Sequence, residues 1–289
     1  MPRNLKQRFL FKDANIRGEI NHLDSAYRDA IAAGDYPARV QQLLGQLMSA
    51  NLLLASTVKL EGSLILQVNG EAGIRILMSE CRNGTDLRAI ARLDETADSA
   101  LELRGRLAIT IQPDEGERYQ GIVQIFDDHI VASIENYFHR SEQLETRIWL
   151  AANGEQAAGL LVQKLPGEGK PPASVDSSDD WNRICTLAET ITDDELLELD
   201  PEQILTRLFH QETVQLFEPA EVRFNCGCSE QRSAAAIKFL GYDEAMELVR
   251  ERGRIESECK FCRQVYEFGG DAVEKLFASE AAPEGTVIH

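Results

Sequence analysis

The sequence predicts an α+β fold in three parts: an N-terminal domain of mainly antiparallel sheet with helices, an acidic helical linker, and a small C-terminal Cys₄ zinc domain. Three observations carry this. Alternating apolar runs of strand length recur between turn residues as far as about Lys164. Residues Ala173 to Phe217 then hold eleven acidic against two basic side chains, a net −9 out of −18 for the whole chain. Four of the six cysteines sit in two tight clusters, Cys226-Gly227-Cys228 and Cys259-Lys260-Phe261-Cys262. The boundaries that follow are 1–170, 171–218 and 219–289.

In the first part, Arg8 to Leu23 reads as a strand or hairpin with Gly18 inside it, and a helix follows over Asp24 to Ala32. Pro37 suits the first turn of the next helix. That helix carries Val40, Leu43, Leu44, Leu47, Met48 and Leu52 at spacings of three and four, a core-facing stripe. Strands follow at Ser63 to Val68, Gly73 to Cys81 and Asp86 to Leu93. Leu107, Ile109 and Ile111 pair across the Pro113–Gly116 turn with Tyr119, Gly121, Val123 and Ile125, a hairpin signal. A helix over Ile130 to Gln143 precedes strands at Glu145 to Ala152 and Gln156 to Lys164.

Pro166 to Pro172 is a run of breakers and marks the domain boundary. Beyond it, Trp181, Ile184, Leu187 and Ile191 fall on one helical face, and Pro201 opens a helix through Leu208. A segment so charged folds only against something else, because its charges repel and its apolar face needs cover. It reads either as a marginally stable linker docked on its neighbours or as an ordinary acidic helical subdomain.

The cysteine pattern points to metal. A CxC and a CxxC each clamp one side of a tetrahedral Zn²⁺. The candidate ligands are Cys226, Cys228, Cys259 and Cys262. Between the pairs, one helix runs from Glu230 to Leu240 and stops at Gly241, and another starts behind Asp243 and stops at Gly253. Ile255 to Glu258 and Val265 to Phe268 read as strands flanking the CxxC turn. Asp271 and Glu274 form a capping-box pattern for a last helix ending near Phe277. Two other chemistries fit the residues: local disulfides in a secreted protein, or a lone CxxC dithiol. Glu256 and Glu258 lie against the second, since a reactive thiolate needs an electropositive setting. Each pair is also close enough to oxidise to a disulfide if metal leaves. The spacing therefore leaves open a structural clip or a redox switch.

Composition narrows the partners. With 48 acidic against 30 basic residues, the chain is a poor ligand for nucleic acid or anionic membranes. Met1 to Leu10 has no apolar signal core, and no run reaches the ~20 apolar residues of a transmembrane span. A cytoplasmic location is expected, where clustered cysteines more often hold metal than stable disulfides. No phosphate-binding loop, dinucleotide fingerprint, serine elbow or deaminase pattern occurs. His22, His129, His139, His210 and His289 are scattered and adjoin neither cysteine pair. Cys81 and Cys185 read as small buried hydrophobes. No catalytic residue is assigned, and a Cys₄ site with no open position disfavours catalytic zinc.

Taken together, Glu218-Pro219, Val222, Phe224, Cys226-Gly227-Cys228-Ser229, Cys259-Lys260-Phe261-Cys262 and Tyr266-Glu267-Phe268 resemble the redox-switch domain of the heat shock protein 33 family, the 33 kDa chaperonins. Arg17-Gly18, Tyr36-Pro37, Leu43-Leu44-Gly45, Lys59-Leu60-Glu61-Gly62, Leu66-Gln67 and Leu87-Arg88 are similar to its first domain. Ala89 stands where family sequences carry glycine, which questions one local turn. The resemblance implies an ATP-independent holdase of the bacterial cytoplasm, not an enzyme. It implies one Zn²⁺ per chain on the four cysteines in a reduced, inactive monomer. Oxidation by peroxide with heat, or by hypochlorous acid, would form Cys226–Cys228 and Cys259–Cys262 disulfides. Loss of zinc, unfolding of the linker and a tendency to dimerise would follow. Unfolding client proteins would then be held and later passed to ATP-driven chaperones. The alternatives are a constitutive zinc-ribbon interaction module and, more remotely, a dithiol oxidoreductase using Cys259 and Cys262.

Overall fold

A computed structural model of the chain describes residues 3–58, 61–71, 73–94, 101–125, 130–166 and 177–278. The Pro166–Pro172 boundary (beyond Pro166), Lys59-Leu60, His129 and His289 lie outside them. The chain divides into two compact units, one running to Asn225 and the other starting at Cys226.

The first unit begins with a hairpin, β1 (Leu5–Phe11) and β2 (Ile16–Leu23), where the sequence left strand or hairpin open. Gly18 lies inside it because the Phe9 ring covers it: a Cβ there would sit 1.9 Å from the ring. Helix α1 (Ser25–Ile31) leads to α2 (Ala38–Ala55). Strands β3 (Gly62–Gly70), β4 (Ile74–Arg82) and β5 (Asp86–Leu93) form a meander, and β6 (Gly105–Pro113) and β7 (Tyr119–Ile125) form the expected hairpin. Ala89 lies within β5 opposite Ser79, so no turn is needed there.

Helix α3 (Ile130–Tyr137) stops earlier than its pattern predicts. A π turn over Phe138–Glu142 takes over and ends at Gln143, whose φ is 55°. Strands β8 (Thr146–Ala152) and β9 (Ala157–Lys164) close the expected set. The acidic segment forms α4 (Ser177–Ala188), α5 (Asp193–Glu198) and α6 (Pro201–Phe209). Ile191 falls outside α4, because Thr192 and Glu195 make a capping box that starts a new helix. Three short strands complete the unit: β10 (Val214–Leu216), β11 (Ala220–Glu221) and β12 (Arg223–Phe224).

These strands make two sheets. The first has the order β10-β1-β2-β9-β8, with β11 also on β1; the second has the order β12-β5-β4-β3-β6-β7. Pairing is antiparallel except between β12 and β5. Helix α2 packs against β2, β8 and β9 of one sheet and β3, β4 and β5 of the other. Its stripe from Val40 to Leu52 is fully buried as a result. Asn51 satisfies two of the polar groups beside it, donating to Leu64 O at 3.2 Å and Ser79 O at 2.7 Å.

The acidic helices cover the other face of the first sheet. Phe9, Phe11, Ile20, Leu160 and Val162 form one core with Ile184, Leu196, Ile204, Leu208 and Phe209. Each such side chain contributes roughly 1.5–3 kcal/mol on full burial. The amphipathic faces read in the sequence therefore dock on the sheet, and the acidic residues face away.

The second unit holds α7 (Glu230–Lys238), α8 (Tyr242–Arg252), the hairpin β13 (Ile255–Glu258) with β14 (Val265–Phe268), and α9 (Gly270–Ala278). Helix α8 starts at Tyr242, one residue before the expected cap, and ends at Gly253 with φ 82°. Helix α9 starts at Gly270, so Asp271 lies in its first turn rather than capping it. Its core of fully buried side chains is small: Ile237, Ala245, Phe268 and Val273. A core of that size rarely sustains a fold without a staple.

Candidate metal centre

The four cysteines come from two short loops. Gly227 has φ 60°, a conformation that costs glycine little, and it turns the CxC segment so that both thiols converge. Arg232 donates to Gly227 O and secures the turn. Ser229 then caps α7 by accepting from Arg232 N at 3.2 Å. On the other side, the β13–β14 hairpin ends in a tight knuckle. Arg263 N donates to Cys259 O at 2.9 Å, and Cys259 N donates to Gln264 O at 2.8 Å. Arg263 adopts φ 63° to close it.

All four Sγ atoms lie within 4.8 Å of one another. Cys226 is 3.1 Å from Cys228 and 3.3 Å from Cys262, and Cys228 is 3.4 Å from Cys262. These separations are too long for a bond of about 2.05 Å. They approach the roughly 3.8 Å edge of a tetrahedron with ligands about 2.3 Å from its centre. Four converging thiols need a cation to be stable as thiolates. Burial first, then the neighbouring thiols, pushes the Cys262 thiol up. Such a donor set fits Zn²⁺, which holds thiolates deprotonated.

One neighbour adds a polar contact. The Tyr266 hydroxyl donates to Cys228 Sγ at 3.1 Å, and that bond is the main reason its phenol is pushed up to about 12. Tyr266 is one of the residues in the family-like pattern, but its spacing gives no hint of this role. Glu258 pairs with Lys260 at 3.3 Å and Arg263 at 2.6 Å, so part of the acidic flank is neutralised locally.

The other sequence candidates lie elsewhere. Cys81 and Cys185 are buried in the first unit, and burial pushes their thiols up to about 12 and about 11. His22 is buried, with Nε2 2.9 Å from Leu196 O, while His139 and His210 are exposed. Burial is the main cause that lowers His22 to about 4. Sequence reasoning did not find this anchor between β2 and α5. No helix among the described residues is long and apolar enough to cross a membrane.

The sequence profile of the family described as Hsp33 protein matches residues 4–269. The chain belongs to the Hsp33 family. It is 44% identical over 284 residues to the 33 kDa chaperonin of Hahella chejuensis, covering 96% of this chain and 99% of that one. The 33 kDa chaperonin of Azotobacter vinelandii is 43% identical, with 97% of each chain covered. The solved structure of the 33 kDa chaperonin (heat shock protein 33 homolog) of Thermotoga maritima superposes with a TM-score of 0.80. It covers 96% of this chain and 99% of that one at 17% identity, a likeness of fold. Membership of the Hsp33 family supports a chaperone function, a non-enzymatic role, and the cysteine cluster is compatible with zinc binding and redox control.

Proposed function

We propose that the chain is a redox-regulated, ATP-independent holdase. Cys226, Cys228, Cys259 and Cys262 hold one Zn²⁺ in the reduced, inactive monomer. The observation that carries this reading is the apolar face of the first sheet, from Phe9 to Val162, covered by an acidic segment that runs in sequence into a weakly cored Cys₄ unit. Its functional division is 1–170 as chaperone core, 171–218 as metastable linker and 219–289 as redox switch.

Bound zinc would supply folding energy on the order of 10–16 kcal/mol, as in zinc-finger peptides. Peroxide is the oxidant. One thiolate attacks a peroxide oxygen, forming a sulfenic acid and releasing hydroxide. The neighbouring thiolate then attacks that sulfur, forming the disulfide and releasing a second hydroxide. Cys226–Cys228 and Cys259–Cys262 are the pairs formed, each consuming one peroxide. The four donors to the metal are then gone, and the second unit loses its staple.

The acidic segment follows because the strands that join it in sequence to the second unit, β11 and β12, are held by ladders of only two residues. Its release bares the sheet face, which takes unfolding clients by apolar contact and dimerises. Clients pass later to ATP-driven chaperones in the cytoplasm. The acidic Glu256 and Glu258 beside Cys259 disfavour the dithiol oxidoreductase, since its attacking thiolate needs an electropositive setting. Disulfide mapping with amide exchange after peroxide and heat tests the sequence of events. Local pairs with exchange opening in α4–α6 are expected. Pairs crossing between the loops, or α4–α6 still protected, would contradict it.

A further inference from the structure

Two adjoining cavities of about 290 and about 310 Å³ open in the first unit, away from the cysteine centre. They share the wall made by Arg8, Glu19 and Ser56. The first is lined on its far side by apolar groups, including Leu161, Leu165 and Phe217. The second is polar and adds Lys6, Asn83 and Glu218. Glu19 is only 4% exposed, and its Oε1 has no hydrogen-bond partner although it lines both cavities. A buried acceptor atom left without a partner is unfavourable. That is a reason to expect a ligand group or water against it.

Charge selects the ligand. Lys6, Arg8 and Arg17 face the shared wall in a chain whose net charge is −18. Lys6 Nζ is held by Ser56 Oγ at 2.8 Å and Arg17 by Gln163 Oε1 at 2.6 Å, so both cations are fixed in place. Arg8 stacks over the Phe217 ring at 5.7 Å, joining the charged wall to the apolar one. A cationic head would meet three positive groups, whereas an anionic head with an apolar tail matches both walls. Burial pushes the Glu19 carboxyl up to about 7, so it can meet an anion as a proton donor.

We propose that these cavities form a binding site for a small amphipathic carboxylate, its head between Lys6, Arg8 and Glu19 and its tail among Leu161, Leu165 and Phe217. The site rests on neither the metal centre nor the redox reading. A free alkyl acid and a polypeptide C-terminus both present this chemistry.

The test is calorimetric titration of the reduced, zinc-loaded full chain at pH 8 with octanoate, N-acetyl-leucine, octanol and octylamine. Saturable binding of a carboxylate is expected, and the tighter of the two acids identifies the source. Arg8→Gln should weaken it at least fivefold. Glu19→Gln keeps the shape, removes a negative charge at that pH, and should tighten it several-fold. Octanol or octylamine binding as tightly as the acids would overturn the proposal. So would unchanged affinity in Arg8→Gln or weaker affinity in Glu19→Gln, and the second variant decides if the first does not fold.

Discussion

The rings of Phe11 and Phe209 meet edge to face with their centroids 5.0 Å apart. Phe11 belongs to the first strand and Phe209 to the last helix of the acidic segment, so this contact joins the sheet to its cover across nearly two hundred residues. Phe9 completes the cluster, 5.7 Å from Phe11 and 6.3 Å from Phe209.

Phe209→Ala should therefore loosen the cover without touching the cysteines. Deleting a buried Phe costs about 3–5 kcal/mol. Limited proteolysis of the reduced, zinc-loaded protein should cut within residues 177–213 far faster than in wild type, with zinc content unchanged. Equal cleavage rates would show that this contact does not hold the segment down.

His22 should make docking pH-dependent. Its folded value of about 4 lies below the ordinary 6.5, so its buried neutral form stabilises the fold above about pH 6.5. That stability is lost as pH falls from about 6.5 to about 4, and the full effect is on the order of 3 kcal/mol. Glu19 acts with the opposite sign, because its raised value of about 7 favours the fold at low pH and the benefit fades from about 4.5 to about 7. The wild-type curve blends the two. Subtracting the denaturation stability of His22→Gln from that of wild type at each pH should leave a difference that shrinks on acidification. A difference flat with pH would remove His22 from the balance.

Tyr266→Phe should weaken the metal centre while leaving the fold intact. The substitution removes one hydroxyl bond to Cys228 Sγ and keeps the ring. Loss of such an outer contact commonly lowers metal affinity about 10-fold or more. Competition with a chromophoric chelator reads this directly, and unchanged affinity would mean the hydroxyl is idle.

Cys262→Ser should do more, because it removes one of the four proposed metal ligands from a unit with very few fully buried side chains. Amide exchange should show α7–α9 and the β13–β14 hairpin opening even in the reduced protein. Retained protection there would mean the second unit folds without its staple.

Much of this was legible in the sequence because it is periodic or clustered. The Val40–Leu52 stripe, the β3–β9 strands and the four cysteines each carry a repeated local signal. What was not legible depends on partners. Strands of two or three residues such as β11 and β12 exist because β1 and β5 offer free edges, and no pattern within Ala220–Phe224 announces them. The turn at Phe138–Glu142 widens into a π form that composition does not distinguish from α. The sheet face that the acidic helices cover was invisible for the same reason, since β9 is apolar towards both cores.

The central claim is that loss of metal and gain of holding activity are one event. Zinc content and suppression of client aggregation, measured on the same samples before and after peroxide at raised temperature, test it most directly. One zinc released per chain, with protection appearing only then, is the expected result. Zinc retained while protection appears, or zinc released with no protection, would contradict it.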